Sequence, residues 1–597
     1  MPTTSAPTGA TAVSRRQIAY FSMEIGVDPS VPTYCGGLGI LAGDCMRSAA
    51  DLALPMVGVT LIHRKGYFFQ KLGPGGSQTE EPVQWSVADF LVQESPRVRV
   101  TIEGRTVALA IWRYSVTGCT GATVPVYFLD ADLPENAAED RHLTDELYGG
   151  DHRYRLHQEI ILGIGGVRAL RALGLGDLRK FHMNEGHAAF LTLELYSELS
   201  LKAGATSIAA DQAKPGQSQH ARLVQSVRDL CAFTTHTPLA AGHDRFTLEE
   251  IRRGLGEHPA LTPDSPYCAG GSLNLTSLAV AMSRFVNAVS IRHADVSRRL
   301  LAPPGAALLP GVEAITNGVH ASTWVSRPMQ SLFDRHCPGW RRDEAQLRTA
   351  LAIPDEELWH AHREAKKHLM NFVNAESNLG FDVDYFTIGF ARRATGYKRA
   401  DLLFSDPERL RFLAREVGPI QLVFGGKAHP RDGGGKDIIR RIHAIMHDLR
   451  DDIRGVYLPN YDFDVARKLI SGVDLWLNTP IAPLEASGTS GMKAAMNGIP
   501  SLSSLDGWWL EGCFEGLTGW AVGTDEAKDH LGGPVVEDRP RDAASLYQKL
   551  STAIMPTFYT APAKWIGVMR HAIALNGSYF NTGRVMRQYA ERAYAGM

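Results

Sequence analysis

The stretch richest in chemistry runs Pro483-Leu484-Glu485-Ala486-Ser487-Gly488-Thr489-Ser490-Gly491-Met492-Lys493-Ala494-Ala495-Met496-Asn497-Gly498. A strand-like Asp-Leu-Trp-Leu-Asn leads in and an Ala-rich helical segment leads out. Ser, Gly and Thr at a helix start offer backbone N–H groups and hydroxyls to an anion. Lys493 falls roughly one turn inside that helix, among small or apolar neighbours. Burial there lowers an amine's pKa and readies it to form a Schiff base with a carbonyl. A capped helix bearing a surface lysine fits the same residues.

Three other segments have the same quality. Phe390-Ala391-Arg392-Arg393-Ala394-Thr395-Gly396-Tyr397-Lys398-Arg399 puts four cations in eight residues where a strand ends. A phosphate would supply their counter-charge, with Arg as bidentate donor and Lys as point charge; a solvated basic turn is the other reading. Cys35-Gly36-Gly37-Leu38-Gly39 precedes a helical pattern from about Ile40, so it is either an oxyanion cradle or a tight turn. Phe424-Gly425-Gly426-Lys427-Ala428-His429-Pro430, with the Gly433–Lys436 run after it, fails as a Walker A loop. Pro430 stands where the first Gly is needed, and Asp437 where Ser or Thr should follow Lys436. His182, Glu185 and His187 lack zincin spacing, so no metal is expected, and Trp508-Trp509 reads equally as a sugar platform or as core.

These segments hang on a regular alternation. Strand-like runs IAYFSMEI, MVGVTLIH, VRVTI, VALAIW, VPVYFL, KFHMN, CAFTTH and FVNAVSI occupy the first half. After about Trp324 the rhythm restarts with FTIGFARR, IQLVFGG, GVYLP, DLWLN, PSLSSLDG and GWAVG. Helical stretches such as Tyr154 to Leu173 and Ala188 to Ala203 lie between them. Short apolar strands separated by helices predict parallel sheets covered on both faces, in two α/β lobes, with a (β/α)₈ barrel as the alternative. In such sheets ligands sit at the carboxyl ends of strands.

Composition narrows the partners. Lys+Arg 62 against Asp+Glu 64 leaves −2, so there is no global basic field for nucleic acid or anionic lipid, and any anion site is local. The 7 Cys residues form no C-x-x-C, which fits a reducing compartment. No apolar run reaches a membrane span, and the polar start MPTTSAPTGATAVSRR lacks the apolar centre of a secretory signal, so a cytoplasmic location is expected.

The segment EASGTSGMKAAMNG resembles the pyridoxal-phosphate segment of the α-glucan (glycogen, starch and maltodextrin) phosphorylases. YFSMEIG, CGGLGILAGD, NEGHAAF, THTPLAAGH, ITNGVHASTW, the Arg393-to-Lys398 segment, FGGKAHP and LPNYD match in family order, from about Tyr20 to Gly507, in the pattern of the short bacterial and archaeal type. The resemblance implies two doubly wound, Rossmann-like lobes of glycosyltransferase B type with the active site in the interlobe cleft. Residues 1–320 would form the glucan and phosphate side, with a helix of about 575–597 returning to it. Residues 321–574 would form the lobe that binds pyridoxal 5′-phosphate.

The resemblance also implies roles. Lys493 would carry the cofactor covalently, Arg392 and Thr489 would contact its phosphate, and Tyr461 would lie against it. Arg393 and Lys398 would bind the substrate phosphate, with backbone donors from Gly36 and Gly37. Glu485, Ser487 and Gly488 would hold the glucosyl hydroxyls, while His236 and Asn317 would contact the 6-hydroxyl and nearby backbone. Glu24, Glu185 and His187 would line or support the cleft. The implied reaction is reversible phosphorolysis of glycogen or maltodextrin by inorganic phosphate to α-D-glucose 1-phosphate, with retention. The resemblance allows a homodimer and places no allosteric regulation. A sugar-nucleotide-dependent glucosyltransferase of the glycogen or starch synthase kind is the runner-up, and a glucan-binding protein without catalysis a third class. Cys35 departs from the Asn common before these glycines, and LDGWWLEG from the common LDGANVE.

Overall fold

The computed structural model describes residues 16–205, 218–239, 242–302, 309, 311–523 and 537–595. The polar tail (residues 1–15), part of THTPLAAGH and most of the Pro-rich stretch near Leu301 to Pro310 lie outside the described residues.

Two large sheets carry the fold. The first uses β1 (Ile18–Phe21), β2 (Met56–Leu61), β3 (Val92–Ile102), β4 (Arg105–Thr117), β5 (Thr123–Asp130), β6 (Lys180–Asn184), β7 (Cys231–Thr234), β8 (Phe285–Ala288) and β9 (Val312–Ala314), in the order β9-β8-β7-β6-β1-β2-β5-β4-β3. The second uses β10 (Phe386–Ala391), β11 (Ile420–Gly425), β12 (Arg454–Leu458), β13 (Leu475–Asn478), β14 (Ser501–Ser504) and β15 (Gly519–Val522), in the order β12-β11-β10-β13-β14-β15. Two separate sheets exclude the barrel alternative. All pairs of the second sheet are parallel. β10 and β11 are buried at every position, which is why FTIGFA and IQLVFG read as continuous apolar runs.

One expectation needs correction. The first sheet is not wholly parallel, because β4 pairs antiparallel with both β3 and β5. The two-residue turn Glu103-Gly104, with φ 51° and 76°, is a hairpin connection whose positive φ values suit the strand twist. With one face open to solvent, the end of β3 alternates buried and exposed. The helix predicted over Tyr154 to Leu173 is present but not uniform: a π-turn, Ile161–Gly165, joins His152–Ile160 to Gly166–Ala172.

In each sheet the chain leaves a central strand, adds neighbours on one side, then crosses to the other. The switch points fall between β1 and β6 and between β10 and β13. There the diverging connections leave a crevice at the carboxyl ends. α1 (Gly37–Asp51) follows β1, α2 (Ser490–Met496) follows β13, and α3 (Thr582–Arg592) returns near the carboxyl end of the described chain to pack Val585, Met586 and Tyr589 among the buried residues of α1. Ser48 and Thr582 hydroxyls meet at 2.6 Å across that contact. Among the described residues no helix is long and apolar enough to cross a membrane.

Candidate active site

The switch point of the second sheet gathers three expected residues into direct contact. Arg392, immediately after β10, donates Nη1 and Nη2 to the Glu485 carboxylate at 2.8 and 2.8 Å and also to Asn478 Oδ1 at the end of β13. Lys398 Nζ reaches Glu485 Oε2 at 2.5 Å. Burial alone would raise the carboxyl's pKa, but Arg392 and Lys398 overcome it and hold Glu485 at about 2. Beneath it, Asp506 accepts the Glu485 and Gly507 amides, at 2.8 and 2.9 Å. Burial, reinforced by the Glu485 charge, pushes Asp506 up to about 7. Ser487 is buried, and its hydroxyl has no hydrogen-bond partner among the described residues. Gly488 has φ 81°, a left-handed conformation that glycine adopts without strain.

Lys493 lies in α2, after Thr489, whose carbonyl accepts the Lys493 amide at 3.1 Å. It is 7 % exposed and its Nζ stands 3.7 Å from the Trp324 ring centroid. Burial draws its pKa down to about 8, against the opposing pull of Asp44 on α1. Asp44 itself accepts from Trp324 Nε1 at 2.7 Å and from Arg47 at 3.2 Å, which directs its charge away from the lysine. Tyr461 lies beside Gly425, where a Cβ would come within 3.5 Å of its ring, and within the field of Arg392.

Arg393 points towards the first sheet: its Nη2 lies 3.7 Å from Cys35 Sγ, next to Gly36. Gly36 caps α1 in extended backbone, and Gly37 opens that helix and is exposed. The helix therefore starts three residues earlier than Ile40. Glu24, after β1, lies under this loop and accepts the Cys35 amide at 2.8 Å.

His236 and Asn317 lie in the segments that follow β7 and β9 of the first sheet. The His236 amide donates to Glu185 Oε2 at 2.8 Å and its Nε2 meets Asn184 Oδ1 at 2.6 Å; burial draws the imidazole down to about 3, leaving it neutral. The Asn317 amide donates to the Val289 carbonyl at 3.0 Å. Ser290, the following residue, donates to the Ala486 carbonyl at 2.6 Å and so ties this region to the Glu485 segment. The structure thus joins Arg392, Lys398 and Glu485 directly and sets Arg393 against the glycine loop. It leaves Lys493 and His236 without a direct bond to either group.

His182, Glu185 and His187 spend their donor and acceptor atoms on the protein: His182 on Tyr594 and Thr234, His187 on the Met23 amide, Glu185 on Gly186, His236 and Thr237. Trp508 and Trp509 are core: both are buried, edge to face at 5.0 Å, with Phe580 against Trp508. Two cavities among the described residues of the second half, about 460 Å³ beside Asp401 and Arg409 and about 370 Å³ beside Phe514 and Tyr579, contain none of the expected residues. The site is better located by the contacts at the switch points. Trp324, Asp44 and Asn478 were not singled out by the sequence. Trp324 closes ITNGVHASTW and Asn478 closes the strand before the lysine segment, but their partners lie far away in the chain.

An α/β protein with a lowered-pKa amine in its interior, near a carboxylate clamped by two cations, has the features of an enzyme. Residues 267–513 match the family model described as carbohydrate phosphorylase. A maltodextrin phosphorylase from Thermococcus litoralis is 36 % identical, covering 97 % of this chain and 70 % of its own length. A glycogen phosphorylase from Mycobacterium tuberculosis gives the same identity and coverage. A glycogen phosphorylase from Aquifex aeolicus is 33 % identical over 97 % of this chain and 86 % of its own. The chain belongs to the carbohydrate phosphorylase family.

Proposed function

We propose that the protein is a retaining α-1,4-glucan phosphorylase that cleaves glycogen or maltodextrin with inorganic phosphate, reversibly, to give α-D-glucose 1-phosphate. Family membership supports the reaction, and the observation that carries it to this chain is the Lys493 amine, buried against Trp324 with its pKa drawn down to about 8. On this reading the fold is of glycosyltransferase B type. Residues 1–320 with 575–597 form one lobe, residues 321–574 the other, and the site lies between them. The partners are glucan and phosphate, the setting cytoplasmic, and the assembly a homodimer.

The residues present fit pyridoxal 5′-phosphate. No carboxylate of the described residues pairs with Lys493, so its amine is available, and the Trp324 ring lies against it while Tyr461 lies beside Gly425 at the end of β11. Arg392 and the Thr489 hydroxyl would hold the phosphate of the group and Lys493 its aldehyde carbon. When bound, the cofactor supplies a phosphate that exchanges a proton with inorganic phosphate, rather than an electron sink.

The chain's own residues do the rest. Arg393, Lys398 and the Gly36 and Gly37 amides hold the substrate phosphate, offsetting the repulsion of two anions in one site. Glu485, Ser487 and Gly488 orient the terminal glucosyl unit, and neutral His236 with Asn317 meets its 6-hydroxyl side. The substrate phosphate gives its proton to the glycosidic oxygen and attacks the glucosyl carbon from the same face, so no pair of protein carboxylates is required. Closing the site around these groups excludes water, the competing nucleophile. The test is phosphate-dependent release of glucose 1-phosphate from a maltooligosaccharide series, with and without added cofactor. A colourless protein that is fully active and takes up no cofactor would refute the reading.

A further inference from the structure

Glu24 is 2 % exposed at the switch point of the first sheet, and its partners are neutral donors. Oε2 accepts the Cys35 amide at 2.8 Å and Oε1 the Tyr148 hydroxyl at 2.9 Å. The opposite charge that acts on it is Arg393, across the Cys35 thiol: Sγ is 4.0 Å from Glu24 Oε1 and 3.7 Å from Arg393 Nη2. The glycine loop is built to admit this carboxyl. A Cβ on Gly39 would stand 2.6 Å from Oε2 and 3.0 Å from Cγ of Glu24. The same loop therefore turns its Cys35 and Gly36 amides towards the sheltered carboxyl, and on the placement proposed above it meets an anion at the start of α1 beside Gly37.

That arrangement poses an electrostatic problem. A phosphate dianion entering beside Arg393, Gly36 and Gly37 shares a water-poor region with a second negative charge. Two such charges cannot both persist without a large cost. Burial already raises Glu24 above the usual carboxylate range. The other groups facing it are Cys35, Tyr67 and Tyr148, all pushed up by burial, and Arg393, which stays charged. Arg155 stacks on the Tyr148 ring at 4.9 Å. Lys427, which acts on Cys35 and donates to the Phe68 carbonyl at 2.9 Å, is drawn down by burial to about 8. The titratable groups beside the anion are thus Glu24, raised by burial, Lys427, and His429, which lies against Tyr67 and in the field of Arg393 and is lowered by burial.

We infer that Glu24 is a positioning residue that takes up one proton from solvent when phosphate binds at Arg393, making anion binding proton-linked. This rests on the phosphate placement proposed above. The proton comes to a Glu24 oxygen, and no covalent bond of the substrate changes. Because protonation accompanies binding, affinity falls as pH rises between the Glu24 pKa of the free protein and its higher value in the complex.

Sulfate is the probe, because it stays a dianion across this range and any proton taken up belongs to the protein. Titration calorimetry of the cofactor-loaded protein, in buffers of different ionisation enthalpy, is expected to show uptake approaching about one proton per sulfate. The dissociation constant should rise by up to about tenfold per pH unit at its steepest. Glu24→Gln should bind sulfate without that uptake and with a flat profile. Tyr148→Phe removes a donor to the carboxylate, so uptake should persist with its window moved to higher pH. Unchanged uptake in Glu24→Gln, or its loss in Lys427→Met or His429→Asn, would overturn the inference. Wild-type affinity for sulfate in Arg393→Ala would instead overturn the phosphate placement, and the inference with it.

Discussion

Lys398 and Lys493 are buried to the same degree, 7 % exposed each, and both lie in loops or helices that follow strands of the second sheet. Lys398 meets a carboxylate at 2.5 Å and shares it with Arg392, so this cluster of two cations and one carboxylate keeps an excess of positive charge. Lys493 meets an aromatic face, while the carboxylate on α1 that could have neutralised it is engaged by Arg47 and Trp324. Burial thus sets the cost of a charge in both places, and the partner decides the outcome. One amine is held by a carboxylate. The other is made available as a nucleophile.

The largest break of this contrast is Lys493→Ala. Removing the amine should abolish phosphate-dependent release of glucose 1-phosphate to background and remove the cofactor's absorbance from the purified protein, whereas Lys398→Ala should keep that absorbance while losing turnover. Next comes Arg393→Ala. Loss of one charged donor to the substrate phosphate should cost on the order of 10²–10³-fold in kcat/KM for phosphate. Glucan binding, measured without phosphate, should be nearly unchanged.

A smaller effect separates the charged cluster from its surroundings. In Glu485 the folded pKa, about 2, lies below the unfolded reference of 4.5. Its stabilisation is therefore fully present above about pH 4.5 and lost as pH falls towards 2. The shift corresponds to roughly 3 kcal/mol. Glu485→Gln, which leaves two buried cations without their counter-charge, should lower Tm at pH 7. The gap to the wild type should close in the acid range. An equal gap at pH 3 and pH 7 would contradict the clamp.

Much of this was legible before any coordinates, for identifiable reasons. The central strands β10 and β11 are nearly continuous apolar runs, so their existence and their parallel pairing could be read directly, whereas β14, Ser-Leu-Ser-Ser, shows itself only by its place between helical stretches. The first sheet was legible except at its edge. There VRVTI and VALAIW look like any two strands, and the clue to their antiparallel pairing is the two-residue Glu103-Gly104 turn. The cation-rich turn after β10 offered an anion site or a solvated basic turn, and neither reading foresaw that Glu485 would sit among its cations, because that contact spans the crossover from β10 to β13. Glu24 was visible as part of a motif, while its place under the glycine loop depends on Gly39 having no side chain, which is a matter of packing. Trp508-Trp509 was undecidable from type and spacing; the edge-to-face contact with Phe580 assigns it to the core.

The sharpest form of the lysine comparison is a pair of stability measurements with opposite signs, made on cofactor-free protein. Lys398→Met removes one cation from Glu485 and should destabilise. Lys493→Met replaces a desolvated amine by an apolar side chain of similar length and should stabilise at neutral pH. The folded pKa of Lys493, about 8, lies below its unfolded value of 10.5, so the unfolded chain binds more protons between these values. Wild-type stability contributed by this group therefore rises with pH across that window, and its penalty is full only below about pH 8. Lys493→Met should accordingly raise Tm at pH 7, by the equivalent of about 1–3 kcal/mol, and the advantage should shrink as pH climbs towards 10.5. If the variant were instead less stable than the wild type at pH 7, the amine would have a partner in the folded protein. The distinction between the two lysines would then fail at its root.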